Sequence, residues 1–465
     1  MKAWSIALRN LLRNRRRSLA TLLALAVGAL ALLLFGGYIT NIRYSMQTAY
    51  IRTGGHLQVQ HRDYFFYGSG DPTAYGITDY EQLLTAIRED KILKGMITVA
   101  SPTLQFLGVA GNFEAGVSRT IAGVGVVASE VGRMRQWNDF GLKLGSPHFL
   151  LDGSDADAAL IGKGVARVLL LCEPLGVDNC QRPPTDVAPK GIALPDDIVA
   201  LADAASEGSN LEKNRSSARL ELLASHGRGS PNVASVAVLA AEAQGFKEVD
   251  DVLVVLHLSQ AQKLVYGKSA PRVTSIMIQL AHTDKMAVAA ARLATILADK
   301  APHQKLVVLD FEKLNPFYVQ SIQLFDTLFA FIFALIGCIV LFTVSNTITA
   351  SVVERTMEIG TLRAIGMRRR GIRSLFLKEG FLMGCVGTVT GTVSALLVAF
   401  VVNQAELTWL PPGTSEPLPL SIRVWGEADI IFGTVVSLVA IATASAWLPA
   451  YRAAKLQIVE ALRHA

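Results

Sequence analysis

Residues 18–39 read SLATLLALAVGALALLLFGGYI, 22 positions without a charge. At about 1.5 Å of rise per residue, a helix of that length crosses the ~30 Å hydrocarbon core of a bilayer. Three further blocks, 328–349, 380–402 and 430–448, are long and apolar enough to span as well. Between the first and second lies a long stretch of mixed composition. Over the whole chain, 51% of residues are hydrophobic and 18% charged, where soluble domains carry about a quarter charged. The first block is longer than a signal-peptide core, and Phe35-Gly36-Gly37-Tyr38 makes a poor cleavage site, so it is expected to be a retained helix.

The net charge of +6 would by itself fit nucleic acid or an anionic membrane. The arginines, however, crowd beside the apolar blocks, which favours the membrane and excludes nucleic acid as the expected partner. Arg9, Arg13, Arg15, Arg16 and Arg17 precede the first block. Arg355, Arg363, Arg368, Arg369, Arg370, Arg373 and Lys378 lie between the second and third, and Arg452, Lys455 and Arg463 follow the fourth. The loop between the third and fourth is acidic, with Glu406, Glu416, Glu427 and Asp429 against Arg423. The excess of cytoplasmic lysine and arginine then puts both termini in the cytoplasm and residues 40–325 outside.

The expected organisation is an α-helical membrane protein with four transmembrane helices and a large mixed α/β extracytoplasmic domain. Residues 1–17 form a cytoplasmic interfacial helix, with Trp4, Ala7, Leu8, Leu11 and Leu12 at helical spacing, or simply a basic flank. The spans are 18–39, 326–349, 380–402 and 430–448. Residues 40–325 are the outer domain, 350–379 a cytoplasmic segment, 403–429 a short outer loop and 449–465 a cytoplasmic tail. Asp326 stands at the outer edge of the second span, where a solvated position is the simpler reading. Gly384, Gly387 and Gly391 at spacings of three and four let helices approach closely. Ala334, Gly337 and Ser345 give a weaker version of that pattern. A contact between two copies and ordinary packing within one chain both fit.

Within 40–325, TSIMIQL (274–280) reads as a strand, 283–300 as an amphipathic helix and KLVVLDF (305–311) as a second strand, a β-α-β order. GGHLQVQHRDYF begins with strand-like alternation, 79–90 reads as a helix, 97–127 as β-rich and 159–171 as helical. The composition turns Pro-, Ser- and charge-rich from 181 to 232, which reads as a loop-rich excursion. Cys172 and Cys180, in CEPLGVDNC, fit no zinc or redox spacing. They stand open between a disulfide in an oxidising compartment and two free thiols.

The familiar catalytic patterns are missing. Gly267-Lys268-Ser269 has Gln262 where a phosphate-binding loop needs its first glycine, and GNFEAGVS lacks the lysine. HExxH and GxSxG are absent. His56 and His61 are five apart, a spacing that suits neither one helix face nor one strand face, so neither a catalytic nor a metal site is expected. The segment ERTMEIGTLRAIGMRRR (354–370) is a charged, helix-prone stretch between two spans. Ile359, Leu362, Ile365 and Gly366 are expected on one side of it, with Glu354 and Glu358 stacked and Arg355 and Arg363 flanking. Such a helix lies on anionic lipid or fills a groove on a partner.

That stretch resembles the cytoplasmic loop of the FtsX/MacB-type (type VII, mechanotransmission) ABC permeases, approximately S-x-x-E-R-T-x-E-I-G-x-x-R-A-I-G. Ser351, Glu354, Arg355, Thr356, Glu358, Ile359, Gly360, Arg363, Ala364, Ile365 and Gly366 fit the pattern. IALRNLLRNRRRS is similar to the family's opening, and PAYRAAKLQIVEALR to its closing motif, with Ile458 where proline is common. GGHLQVQHRDYF resembles the start of the outer domain in lipoprotein-releasing (Lol) permeases. The resemblance implies a permease subunit in the bacterial inner membrane, with no ATPase activity and no cofactor of its own. A separate cytoplasmic ABC ATPase, carrying ATP and Mg, would dock on Glu354, Arg355, Glu358, Ile359, Leu362, Arg363, Ile365 and Gly366. It further implies a second permease chain, a homodimer, and a periplasmic adaptor or lipoprotein as partner, for lipoprotein release or substrate export. An FtsX-like transducer regulating envelope enzymes is the alternative; its outer domain is small, whereas the 40–325 region here is long.

Overall fold

A computed structural model describes residues 15–142, 148–180, 218–224, 231–410 and 417–457. The principal helices in chain order are α1 (Arg15–Gly54), α2 (Tyr80–Glu89), α3 (Leu258–Tyr266), α4 (Met286–Lys300), α5 (Pro316–Glu354), α6 (Thr356–Ala364), α7 (Arg369–Gln404), α8 (Ala428–Ser445) and α9 (Trp447–Lys455). The chain divides into a helical unit (Met1–Ser45, Phe317–Trp409, Leu418–Ala465) and an α/β unit (Met46–Pro316, Leu410–Pro417).

Four helices of the helical unit are long and apolar enough to cross a membrane, the fourth being α8 continued through α9. They overrun the apolar blocks that announce them. α1 remains helical to Gly54, α5 starts at Pro316, and α7 begins at Arg369. Hydropathy marks where hydrocarbon would lie, whereas a helix continues as long as its own hydrogen bonds and packing sustain it. The core of this unit joins Leu25, Ala29 and Leu32 of α1 to Ile336, Val340 and Val344 of α5, Phe376 and Met383 of α7, and Leu438 and Ala442 of α8. Outward lie Leu23 and Val27 of α1, Phe331 and Phe342 of α5, Leu397 and Phe400 of α7, and Phe432 of α8, all exposed. A water-soluble helix bundle would bury such residues; a lipid-facing surface carries them.

The GCVGTVTG stretch is used within the chain. A Cβ on Gly384 would stand 3.1 Å from both Ala442 Cβ and Val439 Cα of α8. One on Gly387 would stand 2.5 Å from Leu25 Cβ, and one on Gly391 2.4 Å from the Ala26 carbonyl oxygen, both on α1. The stripe therefore packs α7 against two different helices, the close approach that small residues permit. A second tie joins α1 to α5, where the Thr21 and Thr347 hydroxyls stand 2.6 Å apart.

In the α/β unit a nine-stranded sheet comprises β1 (Leu57–His61), β2 (Ile97–Asn112), β3 (Val117–Val126), β4 (Ala158–Gly162), β5 (Arg219–Ala224), β6 (Asn232–Glu242), β7 (Leu253–His257), β8 (Ser275–Leu280) and β9 (Leu306–Asp310). β1 pairs antiparallel with both β8 and β9, and β8 pairs antiparallel with β2. The order β2-β8-β1-β9 is that of a ferredoxin-like β-α-β-β-α-β unit, with α2 and α4 as its crossovers. The expected β8-α4-β9 succession is present, but β1 lies between its two strands. α2 buries Tyr80, Leu83, Leu84 and Ile87, and α4 buries Ala289, Leu293, Ile296 and Leu297; these alternating three- and four-residue spacings make one apolar face on each.

The remaining strands are inserted between β2 and β8. The far half of β2 pairs with both β3 and β5, and the pairings β3-β7-β4-β6-β5 close the ring back onto β2. Closure leaves this part without free edges. Two sequence readings change here. The 159–171 stretch begins as the fully buried strand β4 and becomes a helix only at Lys163–Val168, since a short apolar run does not by itself separate strand from helix. Within the 181–232 excursion, RLELLA forms β5 with Leu220, Leu222 and Ala224 buried on alternate positions. Residues 181–217 and 225–230 lie outside the described residues, as do 1–14 and 458–465.

Candidate functional site: the charged segment between α5 and α7

α5 ends at Glu354 and α6 begins at Thr356, with Arg355 at the joint in a non-helical conformation (φ −110°, ψ 17°). The Thr356 hydroxyl lies 2.9 Å from the Val353 carbonyl and 3.1 Å from that of Val352, a local alternative to the helical ladder at the break. α6 ends in a Schellman turn. The Met367 N–H donates to the Leu362 carbonyl at 3.0 Å and the Gly366 N–H to the Arg363 carbonyl at 3.1 Å. Gly366 adopts φ +104°, a conformation open to glycine and strained for residues with a Cβ.

Ile359 and Gly360 are buried and Leu362 half-buried, packed with Ile372 and Phe376 of α7 and Ala450 and Ala453 of α9. Ile365 does not share their side: it is 80% exposed. The expected single apolar face is therefore split. Ile359 and Leu362 serve the chain's own core, and the outward surface carries Val353, Met357 and Ile365 with Glu354, Glu358 and Gly366. The register explains it, because Ile365 follows the last helical residue and leaves the face that Ile359 and Leu362 define.

The charges are also divided. Glu354, at the C-terminal end of α5, meets Arg17 of α1 in an exposed ion pair. Arg363 turns inward and donates from Nη1 to the Leu456 carbonyl beyond α9. Arg355 is buried, and its Nη1 lies 3.7 Å from Oε2 of the equally buried Glu379 on α7. The Arg373 guanidinium stacks 5.0 Å from the Trp447 ring centroid. Sequence reading missed Glu379: it stands at the edge of an apolar block, and only its pairing with Arg355 marks it. Elsewhere in the helical unit, Asp326 pairs with Arg43 at 2.7 Å, both exposed.

Cys172 and Cys180, in the α/β unit, are joined as a disulfide, with Cα atoms 6.2 Å apart, inside the usual span for such a bond. Of the other two cysteines, Cys338 is exposed and Cys385 half-buried, and both are free. His56 accepts the Leu280 N–H at Nδ1 and meets the Thr283 hydroxyl at Nε2. Among the described residues no group of three or more His, Cys, Asp or Glu side chains is placed to hold a metal ion.

Four apolar helices with a fixed, charged α5–α7 connection, and an α/β unit of intercalated topology, define a polytopic membrane protein with a large non-membrane domain. Residues 327–458 match the FtsX-like permease C-terminal domain. The chain is 25% identical over 228 residues to the lipoprotein-releasing system transmembrane protein LolC of Xylella fastidiosa, covering 47% of this chain and 53% of that one. It is 29% identical over 179 residues to the ABC transporter permease YtrF of Bacillus subtilis, covering 37% and 39%. With the macrolide export ATP-binding/permease protein MacB of Shigella boydii the identity is 34% over 143 residues, 31% of this chain and 20% of that one. The match spans about half the length of the LolC relative and less of the other two. Over these stretches the chain resembles permeases of the FtsX/MacB type.

Proposed function

We propose that this chain is the membrane subunit of an ABC transporter whose ATP hydrolysis is carried out by a separate cytoplasmic subunit docked on α6. The observation that carries the reading is the division of α6. Its inner side is fixed to the bundle, while Val353, Met357 and Ile365 stay exposed among Glu354 and Glu358. Apolar anchors ringed by charge suit a helix received in a partner's groove, the charges setting register. The absence of a complete phosphate-binding loop from the sequence supports assigning ATP and Mg to the partner.

The basic residues flanking the spans support cytoplasmic termini and an α/β unit on the outer side of a bacterial inner membrane. The Cys172–Cys180 disulfide supports the same side, since such bonds persist in oxidising compartments. On this reading two permease chains pair in the membrane, and ATP-driven movement at α6 is passed along α1 and α5 to the α/β units. The size of that unit supports handling of a substrate or adaptor, as in lipoprotein release or export, over FtsX-like signalling alone. The test is affinity purification of the full chain from native membranes in mild detergent, with mass spectrometry of what accompanies it. A stoichiometric ATPase is expected, with any lipoprotein or adaptor beside it indicating the cargo. Its absence under several gentle conditions would overturn the reading.

A further inference from the structure

The break at Arg355 poses a mechanical problem. A short helix that receives force at its exposed face, joined to a long helix through one non-helical residue, would swivel at the joint unless something held it. Glu379 lies on the buried side of α7, on a face it shares with Phe376 and Met383, which belong to the core of the bundle. Its side chain is 4% exposed and that of Arg355 6%. A carboxylate in such surroundings is costly unless a cation compensates it, and a guanidinium does not give up its proton. Two further charged ties at this end are of different kinds. Arg17–Glu354 is exposed on both sides, and Arg363 binds a neutral carbonyl.

We propose that Glu379 is a positioning residue for the coupling helix: through Arg355 it fixes α6 to α7, so that movement of α6 enters the membrane bundle through α7 instead of dissipating at the α5–α6 joint. This rests on the reading of α6 as the docking helix. A pair of this kind adds little net stability over an apolar replacement of equal volume, and its value is in specifying one arrangement. Buried on α7, Glu379 acts on α6 through Arg355.

The experiment measures the arrangement directly and without the ATPase. In the full chain with Cys338→Ser and Cys385→Ser, spin labels are placed at Met357→Cys on α6 and Val389→Cys on α7, both exposed positions. The labelled chain, diluted in excess unlabelled chain, is read by pulsed electron–electron resonance in bilayer nanodiscs. With Glu379 intact the distance distribution is narrow. Glu379→Gln is expected to widen it at least about twofold, because the buried Arg355 loses the Glu379 charge, and Glu379→Asp to keep it close to the starting width. An unchanged width in Glu379→Gln overturns the proposal, as does a Glu379→Asp chain that is equally broad. Should Glu379→Gln fail to accumulate, the doubly neutral Arg355→Met with Glu379→Leu takes its place. A widened distribution there supports the proposal and an unchanged one overturns it. Co-purification of the ATPase is followed in parallel and is expected to survive Glu379→Gln, since the exposed face of α6 is untouched. If even the unaltered chain brings no ATPase, the functional reading falls, while the distances still decide the positioning role.

Discussion

His56 shows how far one side chain can be specified by its surroundings. It is fully buried, its ring 4.9 Å edge-on from that of Trp137, and its Nδ1 accepts the Leu280 N–H at 3.1 Å. Desolvation lowers its pKa from 6.5 to about 4, with the nearby Asp139 carboxylate pulling weakly the other way. Between those values the unfolded chain binds a proton that the folded one refuses. The neutral ring therefore contributes its full stabilisation above pH 6.5, and the contribution, on the order of 3 kcal/mol, is lost as pH falls from 6.5 toward 4. Hydrogen exchange in the full chain, corrected for intrinsic rates, should show protection of 275–281 dropping between pH 7 and pH 5. Equal protection at the two values would contradict the assignment. Asp90 is shifted the same way by a different cause: the Arg292 guanidinium, bonded at 2.7 Å, holds its carboxyl below the usual range. Neither effect was legible in the sequence, where His56 is one of eight scattered histidines.

At the level of elements, α6 depends on its two ends. Gly366, with φ +104°, has open space where a Cβ would stand, so Gly366→Ala meets backbone strain and no clash. That strain is about 1–2 kcal/mol, directed at the Schellman turn. Exchange at Gly366 and Met367 should rise severalfold while the centre of α7 beyond Phe376 stays unchanged; no change at the turn would show that it is held from elsewhere. The sequence announced α6 but misassigned its apolar faces and the direction of Arg355 and Arg363, because a nine-residue helix packed on two neighbours does not declare which of its residues belong to its own core. The spans were legible because a charge-free block of some 20 residues has few other uses. Their true lengths were not. The helical extension to Gly54 carries Asn41, Arg43, Gln47 and Arg52, and hydropathy is blind to it. Likewise the β8-α4-β9 succession is local and readable, while the entry of β1 between those strands is a pairing across more than 200 positions that no local pattern encodes.

For the whole molecule, the compartment of the α/β unit and the docking of an ATPase can be measured separately. An outer α/β unit keeps Cys172 and Cys180 bonded while Cys338 and Cys385 stay free. Protein taken from membranes, unfolded in detergent and treated with a maleimide reagent should gain two labels before reduction and four after it, as mass spectrometry would show. Four labels before reduction would place the unit in a reducing compartment and reverse the orientation. The most direct test of the central claim is photocrosslinking in intact cells from a genetically encoded benzophenone residue at Met357, on the exposed side of α6, with Leu23 on the apolar face of α1 as control. The account predicts an adduct at Met357 with a protein bearing a complete nucleotide-binding motif, and none with that protein at Leu23. Capture of such an ATPase nowhere, or at Leu23 and not at Met357, would contradict it.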